Sequence, residues 1–150
     1  MRFAEFQVEQ RIVAGPYEVL EDEVLSFAQA YDPQWFNVDA GLASQGRFGG
    51  LIASGWHTCA IAMRLAVDAA LQGSESFASP GVSRVRWPCP VRPGDRLRLV
   101  ATVLATRRSR SQPDLGILSW RWQLFNQCDQ EVLDLEATSL FDLGSKETRS

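Results

Sequence analysis

One stretch of the chain decides its fold: WHTCAIAMRLAVDAAL, residues 56–71. Its only charged side chains are Arg64 and Asp68, which lie four residues apart and therefore on one face of a helix. A helix that is apolar on nearly all of its other sides is buried rather than spread on a surface. Gly73 follows as a helix-ending signal. The stretch therefore predicts a long central helix.

Strand patterns follow this helix. Residues 82–87 alternate arginine with Val85 and Trp87. Three later segments put apolar side chains on one face and mostly polar ones on the other: Leu97–Val103, Leu118–Leu124 and Leu133–Phe141. Successive antiparallel strands after one buried helix imply a sheet wrapped around that helix. We therefore predict an α+β fold, a long central helix wrapped by a curved antiparallel β-sheet.

A second helix is predicted from Glu21 to Tyr31, because three acidic residues crowd its first turn and an apolar stripe follows. Pro33 disfavours helical geometry at Asp32, so the helix stops there. Residues 32–54 then form a loop long enough to be functional. Its apolar side chains are expected to be buried: Phe36, Leu42, Phe48, Leu51 and Ile52.

Two segments around this loop, YDPQWFNVD (residues 31–39) and FGGLIASGWH (48–57), combine with PVRPGD (90–95) and NQ (126–127). Together and in this order they resemble the MaoC-like dehydratases, the (R)-specific enoyl-CoA hydratase group. The resemblance runs from about Val19 to Phe141. It implies the hot-dog fold, in which a curved antiparallel sheet holds a long central helix.

In that family an aspartate, followed five residues later by a histidine, handles the water that adds across an enoyl thioester. This chain has Asp32 and, at the histidine position, Asn37. The resemblance implies that Asp32 is the general base. Asn37 would hold the water through its amide oxygen and nitrogen but cannot take up a proton. The Gly55 N–H would bind the thioester carbonyl as an oxyanion hole.

Each of these residues also has a structural interpretation. Asp32 suits a helix end or an Asx turn before proline. Asn37 suits any polar loop position. Gly55 suits a tight turn that requires positive φ.

Further residues are expected to contact the substrate. Ser54 adjoins Gly55 at the start of the central helix. Trp35 and Phe36 would wall the acyl pocket or pack in the core. His57, the only histidine, is expected to support the site from the first helical turn rather than to act as the base.

Residues 84–110 contain eight arginines against one acid, Asp95. One interpretation is a solvated strand face, and the other is a phosphate-binding rim, since guanidinium forks match phosphate geometry. Under the second interpretation Arg107, Arg108 and Arg110 are the best candidates for binding the phosphates of CoA or phosphopantetheine.

Bulk properties narrow the function classes. A chain of 150 residues predicts a single domain, 1–150, with a frayed tail from about residue 144. The net charge of −3 argues against nucleic acid or anionic membrane as partner. No apolar run reaches transmembrane length, and the N-terminus lacks a signal-peptide pattern, so we expect a cytoplasmic protein. Three scattered cysteines and one histidine predict no metal site. The expected partner is an acyl-CoA or acyl-carrier-protein thioester, so CoA or phosphopantetheine would enter only as part of the substrate.

Three functions follow as hypotheses. The first is an enoyl-CoA hydratase or dehydratase, weakened by Asn37. The second is a non-catalytic acyl-CoA-binding protein or partner subunit, and the third is an acyl-CoA thioesterase. The fold hosts all three. The resemblance also implies a homodimer or a heterodimer with a catalytic paralogue, and apolar surface at Trp120 or Trp122 is expected to serve that interface.

Overall fold

The computed structural model describes residues 1–144. A 3₁₀ turn, Phe3–Glu5, comes first. The helices are α1 (Glu21–Tyr31), α2 (Trp35–Val38), α3 (Ala40–Ala43) and α4 (Gly55–Ala66), which continues into a π-helical turn, Val67–Leu71. The strands are β1 (Arg11–Glu18), β2 (Ser76–Arg86), β3 (Arg96–Arg108), β4 (Leu115–Phe125) and β5 (Glu131–Asp142).

The five strands form one antiparallel sheet in the order β1-β3-β4-β5-β2. Its inner face covers α4, and this is the hot-dog α+β fold that the sequence predicts. The frayed tail was expected from about residue 144. Gly144 is the last described residue, and 145–150 lie outside the described part, so the single domain over 1–150 stays a prediction.

Both predicted helices are confirmed. α1 has the expected bounds, and the central helix begins at Gly55 and ends with its π-helical turn at Leu71. Arg64 and Asp68 form an exposed ion pair at 3.0 Å on the solvent side. The opposite side buries Ile61, Ala62, Leu65 and Ala66. Within residues 1–144, no helix is both long and apolar enough to cross a membrane.

The inner faces of β3, β4 and β5 are also confirmed, since their apolar side chains form the core with α4. One expectation about them is wrong. Trp120 is fully buried and Trp122 is 5% exposed, so neither offers interface surface. The reason is the strand order, which places β4 at the centre of the sheet.

The sequence interpretation missed β1 and the first half of β2. In β1 the Gly15-Pro16 pair interrupts the pattern, and the register with β3 shifts between Ala14 and Tyr17. In β2 nearly every residue is exposed on both faces, so no inside–outside alternation exists to be recognised. Both are edge strands, where one side of the backbone ladder faces outward.

The loop over 32–54 contains the two short helices α2 and α3. Leu51 and Ile52 are buried as expected, and Phe36 is half-buried. The expectation is wrong for Leu42 and Phe48, which are 58% and 47% exposed. Phe48 lies on the wall of an open cavity, where part of its ring stays accessible.

A turn at residues 92–95 braces this loop. The buried Asp95 carboxylate accepts hydrogen bonds from the Arg92 N–H at 2.9 Å and from Gln127 Nε2 at 3.0 Å. The Arg92 guanidinium donates to the Phe48 carbonyl at 2.6 Å. The Ala53 N–H donates to the Val91 carbonyl at 2.8 Å. These bonds fix the chain that leads into α4.

Candidate functional site

Asp32 lies at the exit of α1. Its N–H still donates to the Ala28 carbonyl at 2.8 Å, but its φ of −151° leaves the helical region, as Pro33 requires. The half-buried carboxylate accepts a hydrogen bond from Gln34 Nε2 at 2.7 Å and forms part of a cavity wall. Its remaining lone pairs can accept a proton from a molecule in that cavity.

Asn37 lies in α2, five residues further along, and is 1% exposed. Its Nδ2 donates to the Ile52 carbonyl at 2.7 Å. Its Oδ1 has no hydrogen-bond partner among the described residues. The nitrogen thus commits one of its two N–H groups, and the expectation that both amide atoms hold a water stays a prediction.

Gly55 is the first residue of α4, and within the described chain no side chain caps this helix N-terminus. The first N–H groups of a helix lack intrahelical partners and carry the positive end of the helix dipole. They can therefore bind a carbonyl oxygen that gains negative charge.

The glycine at this position has a steric cause. Gly55 is absent from the positive-φ glycines of the described chain, so the tight-turn interpretation is wrong. A Cβ at Gly55 would instead lie 2.5–2.8 Å from the Trp87 indole. Trp87 covers the start of α4 so closely that only glycine fits beneath it.

These groups meet in one cavity of about 430 Å³. Asp32, Phe36, Asn37, Ser54 and Gly55 line it, as the sequence predicts for a common site. The rest of the wall is mainly apolar and comes from distant parts of the chain, including Trp87, Cys89, Val91 and Val132. The Asp32 and Asn37 side chains and a helix N-terminus thus border a shared, largely apolar space.

The family model for the MaoC-like domain matches residues 4–117. The chain belongs to the MaoC-like family. Uncharacterized protein YdeM of Bacillus subtilis is 33% identical over 140 residues, 93% of this chain and 98% of that protein. The crystal structure of a MaoC-like dehydratase from Rhodospirillum rubrum superposes with a TM-score of 0.85 at 36% identity, covering 93% of this chain and 95% of that one.

A third relative carries an activity in its name. The 3-hydroxyacyl-thioester dehydratase Z of Mycobacterium tuberculosis is 35% identical over 88 residues. The match covers 57% of this chain and 58% of that protein. The correspondence of Asn37 to the family's histidine position stays a prediction.

Two predicted substrate contacts of this MaoC-like chain do not line the cavity. Trp35 is 48% exposed, packs edge-on against Phe36 and covers Gly46. His57 is buried beside the cavity wall and stacks on Phe27 with 4.8 Å between ring centroids. Neither side chain lines the cavity, and each contacts a neighbouring aromatic ring instead.

The predicted phosphate-binding arginines also lie apart from the cavity. Arg107 and Arg108 end β3, and Arg110 follows in the turn, where Arg108 donates to the Pro113 carbonyl at 3.0 Å. The turn that braces the site lies at the opposite end of β3. A strand rises about 3.3 Å per residue, so the length of β3 from Arg96 to Arg108 separates its two ends by roughly 30–40 Å. One chain therefore does not bring these arginines to its own cavity.

The sequence analysis did not predict several residues that line the cavity. Trp87, Cys89 and Val132 lie more than 30 residues beyond Asp32, and only the pairing of β2 with β5 brings their segments together. The one available signal was the alternation in 82–87, which groups Trp87 with Val85 opposite the arginines. In the structure Trp87 lies one residue past the end of β2.

No group of three His, Cys, Asp or Glu side chains within the described residues could hold a metal ion. Cys59, Cys89 and Cys128 are free thiols. Burial raises the pKa of the Cys59 thiol, which keeps it protonated, while a hydrogen bond to Trp87 acts in the opposite direction.

His57 is held in an environment that disfavours its charge. Burial lowers its pKa below the ordinary value of 6.5, and the nearby Glu23 carboxylate offsets only part of this effect. Its Nδ1 is buried without a partner among the described residues. The stacked Phe27 ring adds no hydrogen-bond acceptor, so the neutral imidazole is the favoured form.

We expect acid to destabilise the protein through His57. The unfolded state protonates this ring first as pH falls below about 6.5, so the free energy of unfolding decreases through the window between that value and the lower folded-state pKa. The measurement is urea denaturation between about pH 5.5 and pH 7.5. In His57→Gln, which cannot titrate, this slope should disappear, and an unchanged slope would contradict the assignment.

Proposed function

We propose that the chain is a MaoC-like acyl-thioester hydratase or dehydratase that acts on enoyl-CoA substrates. One observation supports this most strongly: Asp32, Asn37 and Gly55, the first residue of α4, line the same cavity. The family membership and the dehydratase name of one relative agree with it.

In the proposed reaction the substrate carbonyl oxygen accepts a hydrogen bond from the Gly55 N–H. This hydrogen bond draws electron density away from the conjugated double bond. A water held between Asp32 and Asn37 loses one proton to the Asp32 carboxylate. Its oxygen forms a bond to C3 of the acyl chain, and the resulting enolate is stabilised at the helix N-terminus. Asp32 then returns its proton to C2, which completes the addition of water and regenerates the carboxylate.

Asn37 has a limited role in this scheme. Its Oδ1 accepts the second water proton as a hydrogen bond and orients the attacking oxygen. An amide takes up no proton, so Asp32 alone performs both transfers. This single acid–base group supports a rate below that of a site with two titratable groups.

The same observation favours a second candidate, an acyl-thioester-binding protein without hydratase chemistry, alone or as the partner subunit of a catalytic paralogue. Such a protein needs the cavity and the helix N-terminus but no proton transfer. Neither candidate requires a separate cofactor, because CoA or phosphopantetheine arrives as part of the ligand.

Asp32→Asn tests the catalytic proposal. The amide keeps the size of the side chain but cannot accept a proton, so turnover of crotonyl-CoA should fall on the order of 10²–10⁴-fold. The loss of enoyl absorbance measures hydration, and thiol release measured in parallel detects thioesterase activity. Equal turnover in the variant, with an unchanged circular dichroism spectrum, would remove Asp32 from the mechanism.

Asn37→His separates the two candidates. One ring nitrogen can keep the hydrogen bond to the Ile52 carbonyl while the other faces the cavity as a base. We expect hydration of crotonyl-CoA to increase at least tenfold. Asn37→Gln is the control, since it enlarges the side chain without adding a base. A folded Asn37→His protein that binds CoA thioesters without hydrating them would favour the binding role.

We also propose that two copies of the chain associate along β2. This edge strand has one unpaired side and exposes Phe77 and Val82. On α4, Trp56, Ala60 and Met63 follow at helical spacing and are exposed as well. An apolar helix stripe beside an open strand edge is typical of a subunit interface. A second copy could also supply the distant arginines.

Charge placed on the proposed interface should dissociate it. Val82→Lys introduces an ammonium on the open edge of β2, and we expect a monomer where the native chain is a dimer at micromolar concentration. Val13→Lys is the matched control, because Val13 is 63% exposed against 54% for Val82 but lies on the opposite edge strand, β1. Light scattering gives the mass. Dissociation by both variants, or a monomeric native chain, would contradict the proposal.

A further inference from the structure

The two groups that act on the substrate in the proposed function belong to different helices. Asp32 lies at the C-terminal end of α1, and its N–H still donates to the Ala28 carbonyl at 2.8 Å, so its backbone is tied to that helix. Gly55 begins α4. The distance between the Asp32 carboxylate and the Gly55 N–H therefore depends on how α1 lies against α4.

A row of three rings links the two helices. His57 of α4 stacks on Phe27 of α1, with 4.8 Å between the ring centroids and 9° between the ring planes. Phe27 in turn contacts Tyr31, one helical turn further along, with centroids 5.1 Å apart. Tyr31 directly precedes Asp32, and His57 lies two residues after Gly55. The row thus begins beside one of the two reacting groups and ends beside the other.

The stack between Phe27 and His57 fixes what the other core contacts of α1 leave open. Val24 and Ala28 are fully buried, but apolar burial is non-directional, so these side chains set the depth of the helix more than its rotation. Aromatic rings have preferred separations and relative orientations. The half-buried Phe27 ring therefore fixes how α1 is turned towards the first turn of α4.

A hydrogen bond holds the same side of α1 nearer its start. Glu23 lies one helical turn before Phe27 and accepts a hydrogen bond from the Tyr17 phenol of β1. This bond raises the pKa of Tyr17 to about 12, so the phenol keeps its proton and remains a donor at neutral pH. α1 is thereby held to β1 at its first turn and to α4 near its centre, which sets the position of Asp32 at its end.

We propose that Phe27 and His57 are positioning residues, whose stacked rings set the distance between the Asp32 carboxylate and the Gly55 N–H. The inference rests on the proposed function, in which both groups act on one substrate. Neither ring lines the cavity, so loss of the stack would displace Asp32 without removing a contact to the ligand. A misplacement of about 1 Å at a reacting group can lower a rate on the order of 10²-fold.

Phe27→Leu tests this role, because leucine remains apolar but cannot stack. We expect kcat for hydration of crotonyl-CoA to fall about tenfold to a hundredfold while KM stays nearly unchanged. Phe27→Tyr keeps the ring and should retain most of the native kcat. Phe125→Leu is the matched control and should keep the native kcat. Phe125 is also half-buried and has a ring contact, to the Arg98 guanidinium, but lies on β4 outside the cavity.

A double-mutant cycle measures whether the two rings act as one unit. His57→Gln also removes the stack, so it should lower kcat by a similar factor. The variant that carries both substitutions should then be no slower than Phe27→Leu alone. Losses that multiply in the double variant would show that the rings act separately and would overturn the proposal. Circular dichroism checks each fold, and His57→Gln provides the same test if Phe27→Leu does not fold.

The remaining outcomes distinguish the two proposals. A native chain that hydrates no enoyl-CoA would remove the proposed function, and the positioning role with it. An active native chain whose Phe27→Leu variant keeps both kcat and KM would remove the positioning role alone. A raised KM at unchanged kcat would assign Phe27 to ligand binding and would also contradict the inference.

Discussion

Burial of α4 against the concave face of the sheet is the constraint on which the rest of the structure depends. Ile61 and Leu65 of the helix pack into a core with the inner residues of β3, β4 and β5. Each fully buried side chain of this size contributes about 1.5–3 kcal/mol. The antiparallel ladder closes around the helix for this reason. The helix directs its N-terminal end, an apolar stripe and the Arg64–Asp68 ion pair away from the core.

The candidate site follows from where that N-terminal end lies. The loop between α1 and α4 must return across the start of the helix, and the hydrogen bond from Asn37 to the Ile52 carbonyl holds its two halves together. Trp87, from the edge of the sheet, closes the remaining side so tightly that Gly55 cannot carry a side chain. The cavity is thus a product of the helix, the loop and the far strand at once.

The electrostatic character of the site depends on a single side chain. An imidazole beside Asp32 would provide a second group able to exchange protons, whereas the Asn37 amide can form hydrogen bonds but exchanges no proton. The N-terminus of α4 can polarise a bound carbonyl with either histidine or asparagine at position 37, because its backbone N–H groups do not depend on that side chain. In the proposed function, binding of a thioester and proton transfer to its acyl chain are therefore separable properties, and Asn37 affects only the second directly.

The sequence by itself determined the elements that rest on local periodicity. The bounds of α1, the buried side of α4 and the inner faces of β3 to β5 follow from side-chain spacing within each segment. Asp32 and Asn37 could be paired in advance because the family resemblance relates two positions that lie five residues apart. The identity of their chemistry came from motif resemblance, and the roles of both residues remain predictions.

Only the tertiary structure decided which residues are buried and which line the cavity, where this depends on strand order. It placed Trp120 in the core because β4 is central, and it left β2 exposed because β2 is an edge. It brought Trp87 and Val132 to Asp32 and carried Arg107 and Arg108 to the far end of β3. Spacing along the chain cannot encode these distances, because they are set by register between strands that are distant in sequence.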